Sequence, residues 1–236
     1  MIESVDRIVD MSNPIKRESP TYPTFPNVEI HTTDFADRDG FTMERVEMNS
    51  HTATHVDAPL HFIPEGKTLE EFSIESFMGT GIVLDLTPMD PSEPIRPEHI
   101  EPHVDRIESD DVVILYTGWD DEYGWNGEYL MRYPFLSGEA AQYLADLGPK
   151  AVGIDTPSVA GWVDEVPEQG PVTDIGADES HVPLLENDIL PIEELRNLDQ
   201  VLDGEPTRRA YFFYPPLNLQ GVGGASARAF AFVSEE

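Results

Sequence analysis

The chain has 236 residues, enough for one sizeable hydrophobic core, and a single domain spanning 1–236 is the expectation. Its 46 acidic residues against 14 basic ones give a net charge of −32, which argues against nucleic acid and anionic membrane surfaces as partners. It has no cysteine, so disulfides and thiolate metal sites are excluded and any metal must take nitrogen and oxygen ligands.

An apolar content of 39% with 8 Tyr and 11 Phe is not that of a disordered acidic chain. The acids are dispersed, and lysine occurs only at Lys16, Lys67 and Lys150. Such a surface predicts a protein kept soluble in concentrated salt, hence a halophilic source. The first residues contain no apolar signal core, and no run reaches the ~18 apolar residues of a membrane span. A cytoplasmic location is the expectation.

In chain order, residues 5–11 read as a strand closed by a Ser12-Asn13-Pro14 turn, followed by a Pro-punctuated extended segment around Tyr22. Residues 28–50 alternate in part around an acidic turn at 34–40, which predicts a hairpin leading to His51. His31 in that hairpin reads as a surface residue. Residues 68–77 predict a short helix capped by Thr68 with Glu71 three positions on. The run GTGIVLDL at 79–86 is a buried strand candidate. His99 and His103 have the i, i+4 spacing of a ligand pair. Their setting, Pro97-Glu98-His99, is that of an ordinary acidic helix start, and a surface position is expected.

The clearest strand is 111–117, DVVILYT, which runs into Gly118-Trp119. Residues 120–136 read as an aromatic loop. Residues 137–147 predict a helix with Ser137 as N-cap and Gly148 as stop, and 151–155 a second buried strand. That order predicts a βαβ-like unit. Residues 161–180 form a long acidic loop, either functional or a solvated insertion. A further strand is expected at 209–215. Gly221-Val222-Gly223-Gly224 lacks the spacing of a phosphate loop and reads as a turn near the site. No Gly-x-Ser-x-Gly elbow is present.

The most informative stretch is residues 51–61, HTATHVDAPLH, with His51, His55, Asp57 and His61. Imidazole and carboxylate are the ligand set of zinc and its first-row neighbours. In a straight strand His51 and His55 would stand about 13 Å apart, too far to share an ion. The stretch therefore predicts a tight turn carrying His51, His55 and Asp57, with Pro59 redirecting the chain so that His61 returns from another side. The competing reading is a polar loop with surface histidines, which four potential ligands in eleven residues disfavour.

These residues resemble the signature H-x-G-T-H-x-D-x-P-x-H of the cyclase family of metal-dependent hydrolases, which includes bacterial kynurenine formamidases and isatin hydrolases. One position departs, Ala53 standing where the family has glycine. Asp10-Met11-Ser12-Asn13-Pro14-Ile15, the strand ending in Thr117-Gly118-Trp119, the pattern Gly153-x-Asp155-x-x-Ser158, and the pair His181 and Glu193 with Leu195 also resemble the family, so the likeness covers nearly the whole chain. By spacing alone His181 is an isolated histidine, and Glu194 competes with Glu193 for the family position.

The resemblance implies an α/β fold of the swivelling β/β/α type, with a central β-barrel-like sheet and flanking helices, in a homodimer or homotetramer. It implies His51, His55 and Asp57 on one metal and Asp57, His181 and Glu193 on a second, the divalent ions being zinc or manganese. His61 would be the proton shuttle, with third ligand on the first metal as its alternative. Tyr22 falls where the family places a substrate-contacting aromatic, and Phe25 and Trp119 are further candidates for an aryl pocket. The implied activity is hydrolysis of a small-molecule amide, N-formylkynurenine first, a cyclic amide or lactone second. The rival is a non-catalytic metal- or ligand-binding protein on the same scaffold, which would have no need of His61.

Overall fold

Val112, Val113, Ile114 and Leu115 are all fully buried, as a strand covered on both faces requires. In the computed structural model, which describes residues 5–23, 25–162 and 177–234, this run lies inside a nine-stranded mixed sheet. The strands in chain order are β1 (Arg7–Asp10), β2 (Glu29–Asp34), β3 (Met43–Glu47), β4 (His55–Asp57), β5 (Met78–Asp85), β6 (Pro94–Ile95), β7 (Val112–Tyr116), β8 (Phe135–Leu136), β9 (Ala151–Ile154), β10 (Leu190–Glu193), β11 (Thr207–Phe213), β12 (Gly224–Ser226) and β13 (Phe230–Val233). The helices are α1 (Ala36–Asp39), α2 (Pro97–Ile100), α3 (Gly127–Met131), α4 (Gly138–Leu147), α5 (Ala177–Leu185) and α6 (Leu198–Leu202). The main sheet has the order β1-β13-β11-β5-β7-β9-β10-β4-β12. β5, β7, β9 and β10 run parallel, and both flanks are antiparallel.

The side chains of the parallel strands sort by alternation. Val83, Val112, Ile114 and Ala151 face one core with Val9, Val56, Leu198 and Val233. Ile82, Leu84, Val113, Leu115, Val152 and Ile154 face a second core against α4. α4 is capped as its sequence predicts: Ser137 accepts from the Ala140 N–H, and Gly148 ends it in the left-handed conformation. β7, α4 and β9 make the expected βαβ unit.

The sheet curls. Past β1, Ser12 bridges Leu195, beyond the end of β10, and the Arg196 N–H donates to the Met11 carbonyl at 3.1 Å. An edge strand thus reaches across the first core to the far half of the sheet, which gives the half-barrel. The interior is tight. A Cβ on Gly153 would come within 2.8 Å of Leu195 Cδ1, so the glycine admits the leucine that fills the curl.

Three segments differ from expectation. Residues 120–136 are not a loop throughout: Asn126 caps α3 by accepting from the Tyr129 N–H, and Tyr129 and Leu130 are buried, which holds a short helix in this aromatic stretch. Residues 68–77 form two separate 3-10 turns, Leu69–Glu71 with the expected Thr68–Glu71 capping box, and Ile74–Phe77. Of the 161–180 loop, residues 163–176 lie outside the described residues, and Ala177 already begins α5. The β2–β3 hairpin is present, with α1 in its turn, and every residue of β3 is exposed.

Gly81 pairs with Val112 across the β5–β7 ladder, and a Cβ there would run into the Val112 backbone. Gly81→Ala is therefore expected to lower stability by about 2 kcal/mol or more in urea denaturation, through displacement of rigid main chain. A change below ~0.5 kcal/mol would contradict this packing.

Candidate metal centre and its cavity

His55 and Asp57 are alternate residues of β4 and so share one face. This differs from the expected tight turn. Only His51 lies on the turn, which closes at Ala53 with φ +53°, in the left-handed region that glycine adopts more cheaply. Pro59 opens a 3-10 turn, Pro59–His61, that brings His61 back beside His51, the ring centroids 4.0 Å apart. β10 pairs with β4 so that Glu193 lies opposite His55. His181 enters from α5. The structure thus gathers all six residues, with Asp57 wholly buried at the centre.

The nitrogen and oxygen atoms converge. His51 Nδ1 lies 2.7 Å and His55 Nε2 3.4 Å from Asp57 Oδ1; His55 Nε2 lies 3.1 Å from Glu193 Oε2, and His181 Nε2 3.6 Å from Asp57 Oδ2. Despite these approaches, His51 Nδ1, His55 Nε2 and both Asp57 oxygens are buried without a hydrogen-bond partner. Buried polar atoms are normally paired. Four that crowd together unpaired are what a ligand set for a cation presents, and the residues therefore fit a metal.

The tautomers agree. His55 Nδ1 lies 2.7 Å from the Ala53 carbonyl and His181 Nδ1 2.7 Å from the Ala177 carbonyl. A carbonyl only accepts, so each Nδ1 carries the proton and each Nε2 is left to coordinate. Glu193 Oε1 accepts from the Val159 N–H at 2.7 Å and from Ser158 Oγ at 3.0 Å, which fixes the carboxylate on β10.

Two groups of ligand atoms lie within mutual reach: His51, Asp57 and His61, and His55, Asp57 and Glu193. Asp57 belongs to both, as a bridging carboxylate would. The division otherwise differs from that implied by the resemblance, since His55 groups with Glu193 across the β4–β10 pair. Glu194 belongs to neither group, and its Oε1 accepts from the Tyr129 hydroxyl. This distinguishes the two adjacent glutamates.

Charge in this buried cluster is strongly coupled. Burial opposes the imidazolium form of His55 and His181, but Asp57 and Glu193 lift them to about 9 and about 10. Burial opposes the charged carboxylates as well, yet the surrounding histidines hold Asp57 well below the usual range and Glu193 at about 2. His61 goes the other way: burial, helped by the charges of His51 and His181 against the pull of Asp57, lowers it to about 4. Burial raises Glu194 to about 7.

A cavity of 360 Å³ opens over the cluster, walled by Tyr22, Phe25, Phe62 and Leu130 and reached by Glu193 and Glu194. Tyr22 packs on Phe25 and Trp162, with centroids 5.4 and 5.3 Å apart. Trp119 does not line the cavity. It is buried in an aromatic cluster, its indole N–H donating to the Tyr129 carbonyl. His31 is exposed and ion-paired with Glu29, and His99 caps the turn at Arg96, so neither joins the site. Sequence reasoning gave no role to Ser158 or Tyr129, and it read Gly221 to Gly224 as a turn near the site, whereas Gly224 opens β12. Gly224 pairs with Asp57, and a Cβ there would collide with the His51 ring; its only signal was the glycine cluster beside a strand.

The curled α/β sheet and the carboxylate–imidazole cluster define a protein built around a metal-ligating centre. A sequence profile of the family described as Putative cyclase matches residues 9–160, and the chain belongs to that family. It is 29% identical over 227 residues to a kynurenine formamidase of Salinibacter ruber, covering 94% of this chain and 95% of the relative. It is 27% identical to the kynurenine formamidase of Bacillus cytotoxicus, with the same coverage. Among solved structures, isatin hydrolase A from Labrenzia aggregata bound to benzyl benzoate superposes with a TM-score of 0.80 at 25% identity, covering 97% of this chain and 94% of that one. Among the described residues no helix is long and apolar enough to cross a membrane.

Gly224→Ala is expected to push the His51 ring aside and weaken zinc binding about 10-fold or more in a competition titration, as loss of a ligand-orienting contact does. Unchanged affinity would show that the ring has room to move. The metal-free protein has its own pH signature. The raised pKa values of His55 and His181 contribute stability in full below about 6.5, and it is lost as pH rises through 9 to 10. The lowered Asp57 and Glu193 contribute above about 4.5, and that part is lost on acidification. The melting temperature of chelator-treated protein should therefore fall from pH 6.5 to pH 10, and zinc uptake at pH 7 should release protons, measured by calorimetry in two buffers. A flat alkaline limb with no proton release would contradict these charge states.

Proposed function

We propose that the chain is a metal-dependent amide hydrolase acting on an N-formyl aryl amide, with N-formylkynurenine as first substrate. The carrying observation is the set of buried, unpartnered ligand atoms of His51, His55 and Asp57 at the floor of an aromatic-walled cavity. The kynurenine formamidases to which the chain is similar over nearly its whole length support the same reading. His51, His55, Asp57, His181 and Glu193 would hold the divalent ions, two of them, zinc or manganese; the nitrogen and oxygen donors suit either metal.

When bound, the ions supply Lewis acidity towards the substrate carbonyl and the attacking water. The remaining tasks belong to side chains. His61, with its pKa held at about 4, is neutral near pH 7. Its imidazole can take a proton from the water and deliver it to the leaving nitrogen. Tyr22, Phe25 and Phe62 flank the aryl group and exclude bulk water. Hydrogen bonds from Ser158 and Val159 keep the Glu193 carboxylate from turning.

A second reading, hydrolysis of a cyclic amide or lactone, is supported by the likeness to isatin hydrolase A. It needs the same residues, since a ring amide offers the same carbonyl and nitrogen. We further propose a cytoplasmic homodimer or homotetramer from a halophilic source. The net charge of −32 supports the salt adaptation, and Phe35, Phe41, Met43 and Val46, exposed on and beside the β2–β3 hairpin, support association.

The test is N-formylkynurenine hydrolysis in concentrated salt by chelator-treated protein, reloaded with zinc or with manganese, beside His61→Ala. The expected result is metal-dependent turnover, with kcat reduced about 10²- to 10⁴-fold in the variant while its metal content is retained. Loss of metal along with activity would instead make His61 a ligand. Tight metal binding without turnover of this substrate would direct the assay to cyclic amides and lactones.

A further inference from the structure

Phe62 follows His61 directly in sequence, and its ring touches two members of the cluster. It stacks on the His181 imidazole, with centroids 4.2 Å apart and an interplanar angle of 18°. It meets His61 edge-on, at 4.5 Å and 83°. His61 in turn stacks on His51 at 4.0 Å. Phe62 is thus the ring of this series that carries neither a proton to transfer nor a ligand atom, and it lines the cavity. A place in the cavity wall accounts for contact with substrate. It does not account for the parallel packing on His181.

The hydrogen bond of His181 does not fix its ring by itself. Donation from Nδ1–H to the Ala177 carbonyl at 2.7 Å holds one corner. The Cβ–Cγ torsion of histidine is broad, so a ring held at one corner can still tilt. Tilting moves Nε2 relative to Asp57 Oδ2, 3.6 Å away, and Glu193 Oε1, 3.3 Å away. A flat face against the imidazole opposes that motion, and stacked aromatic rings attract each other beyond the area they bury. We propose that Phe62 is a positioning residue of the metal centre: its face holds the plane of His181, which keeps Nε2 turned to the carboxylate oxygens with which it would share an ion, and its edge fixes His61 relative to that ligand. This deepens the metal-dependent reading and rests on it, and it gives a cavity-wall residue a part in metal affinity. An aliphatic side chain of similar bulk would still fill the wall but would offer no flat face.

The experiment compares wild type, Phe62→Leu and Phe62→Tyr by competition titration of zinc into chelator-treated protein, by the visible absorption of the cobalt(II)-loaded forms, and by formanilide hydrolysis. Phe62→Leu is expected to bind zinc about 10-fold or more weakly, as loss of a ligand-orienting neighbour does, and to shift the cobalt bands. Its kcat should fall about 10- to 100-fold with KM changed much less. Phe62→Tyr, which keeps the flat face, should restore zinc affinity and the cobalt spectrum to wild-type values. If Phe62→Leu raises KM alone, with zinc affinity and cobalt bands unchanged, Phe62 is only a wall and the proposal is overturned. Equal weakening in both variants overturns it too, because the face would then not be the cause. Zinc binding without turnover in wild type is the separate failure of the hydrolase reading, and the zinc and cobalt measurements still decide for Phe62. No zinc uptake by wild type overturns the proposal together with the metal centre. Should Phe62→Leu fail to fold, Phe62→Met carries the same expectations and the same overturning results.

Discussion

The structure depends on one carboxylate. Asp57 has no exposure to solvent, and its two oxygens face imidazoles delivered by a turn, a strand and a helix. A lone ion at that depth would be prohibitively costly. It is tolerated because the elements around it bring compensating groups: β4 carries it beside His55, β10 sets Glu193 opposite, and α5 supplies His181. These elements come from residues well separated in sequence, so the ionic cluster forms only once the sheet has its full order.

The curl has its own physical source. Gly153 leaves room for Leu195 inside the first core, and Ser12 bridges the backbone at that same leucine. Leu195 stands two residues beyond Glu193. The packing that bends the sheet and the residue that holds the centre are thus on one short piece of chain. On the opposite face α4 packs Ala140, Ala141 and Leu144 against the parallel strands.

Much of this was legible in the sequence where the signal is local. The strand at 112–116, the capped helix after Ser137, the Thr68–Glu71 box and the hairpin all follow from periodicity and cap chemistry. The gathering of His51, His55, Asp57 and His61 was legible as a cluster because eleven residues hold all four. What was not legible depends on distant contacts. α3, five residues long, is too short to show a helical period and is held by burial of Tyr129 and Leu130. The grouping of His55 with Glu193 follows from strand pairing across a long sequence separation, which spacing does not report. Gly224 is required by a ring arriving from the other end of the chain. Trp119 was read as a possible cavity wall, but its indole found a carbonyl in the core.

The left-handed turn at Ala53 ties backbone shape to the electronic state of a side chain. The carbonyl that this turn carries is the one bonded to His55 Nδ1. In many metal centres a carboxylate holds the outer nitrogen of the ligating imidazole and makes the inner one more basic. Here a neutral peptide group does so, and its direction is set by a dihedral angle. The donor strength of His55 is therefore governed by main-chain conformation two residues upstream, and a substitution at position 53 that alters φ retunes that imidazole without touching any charged group.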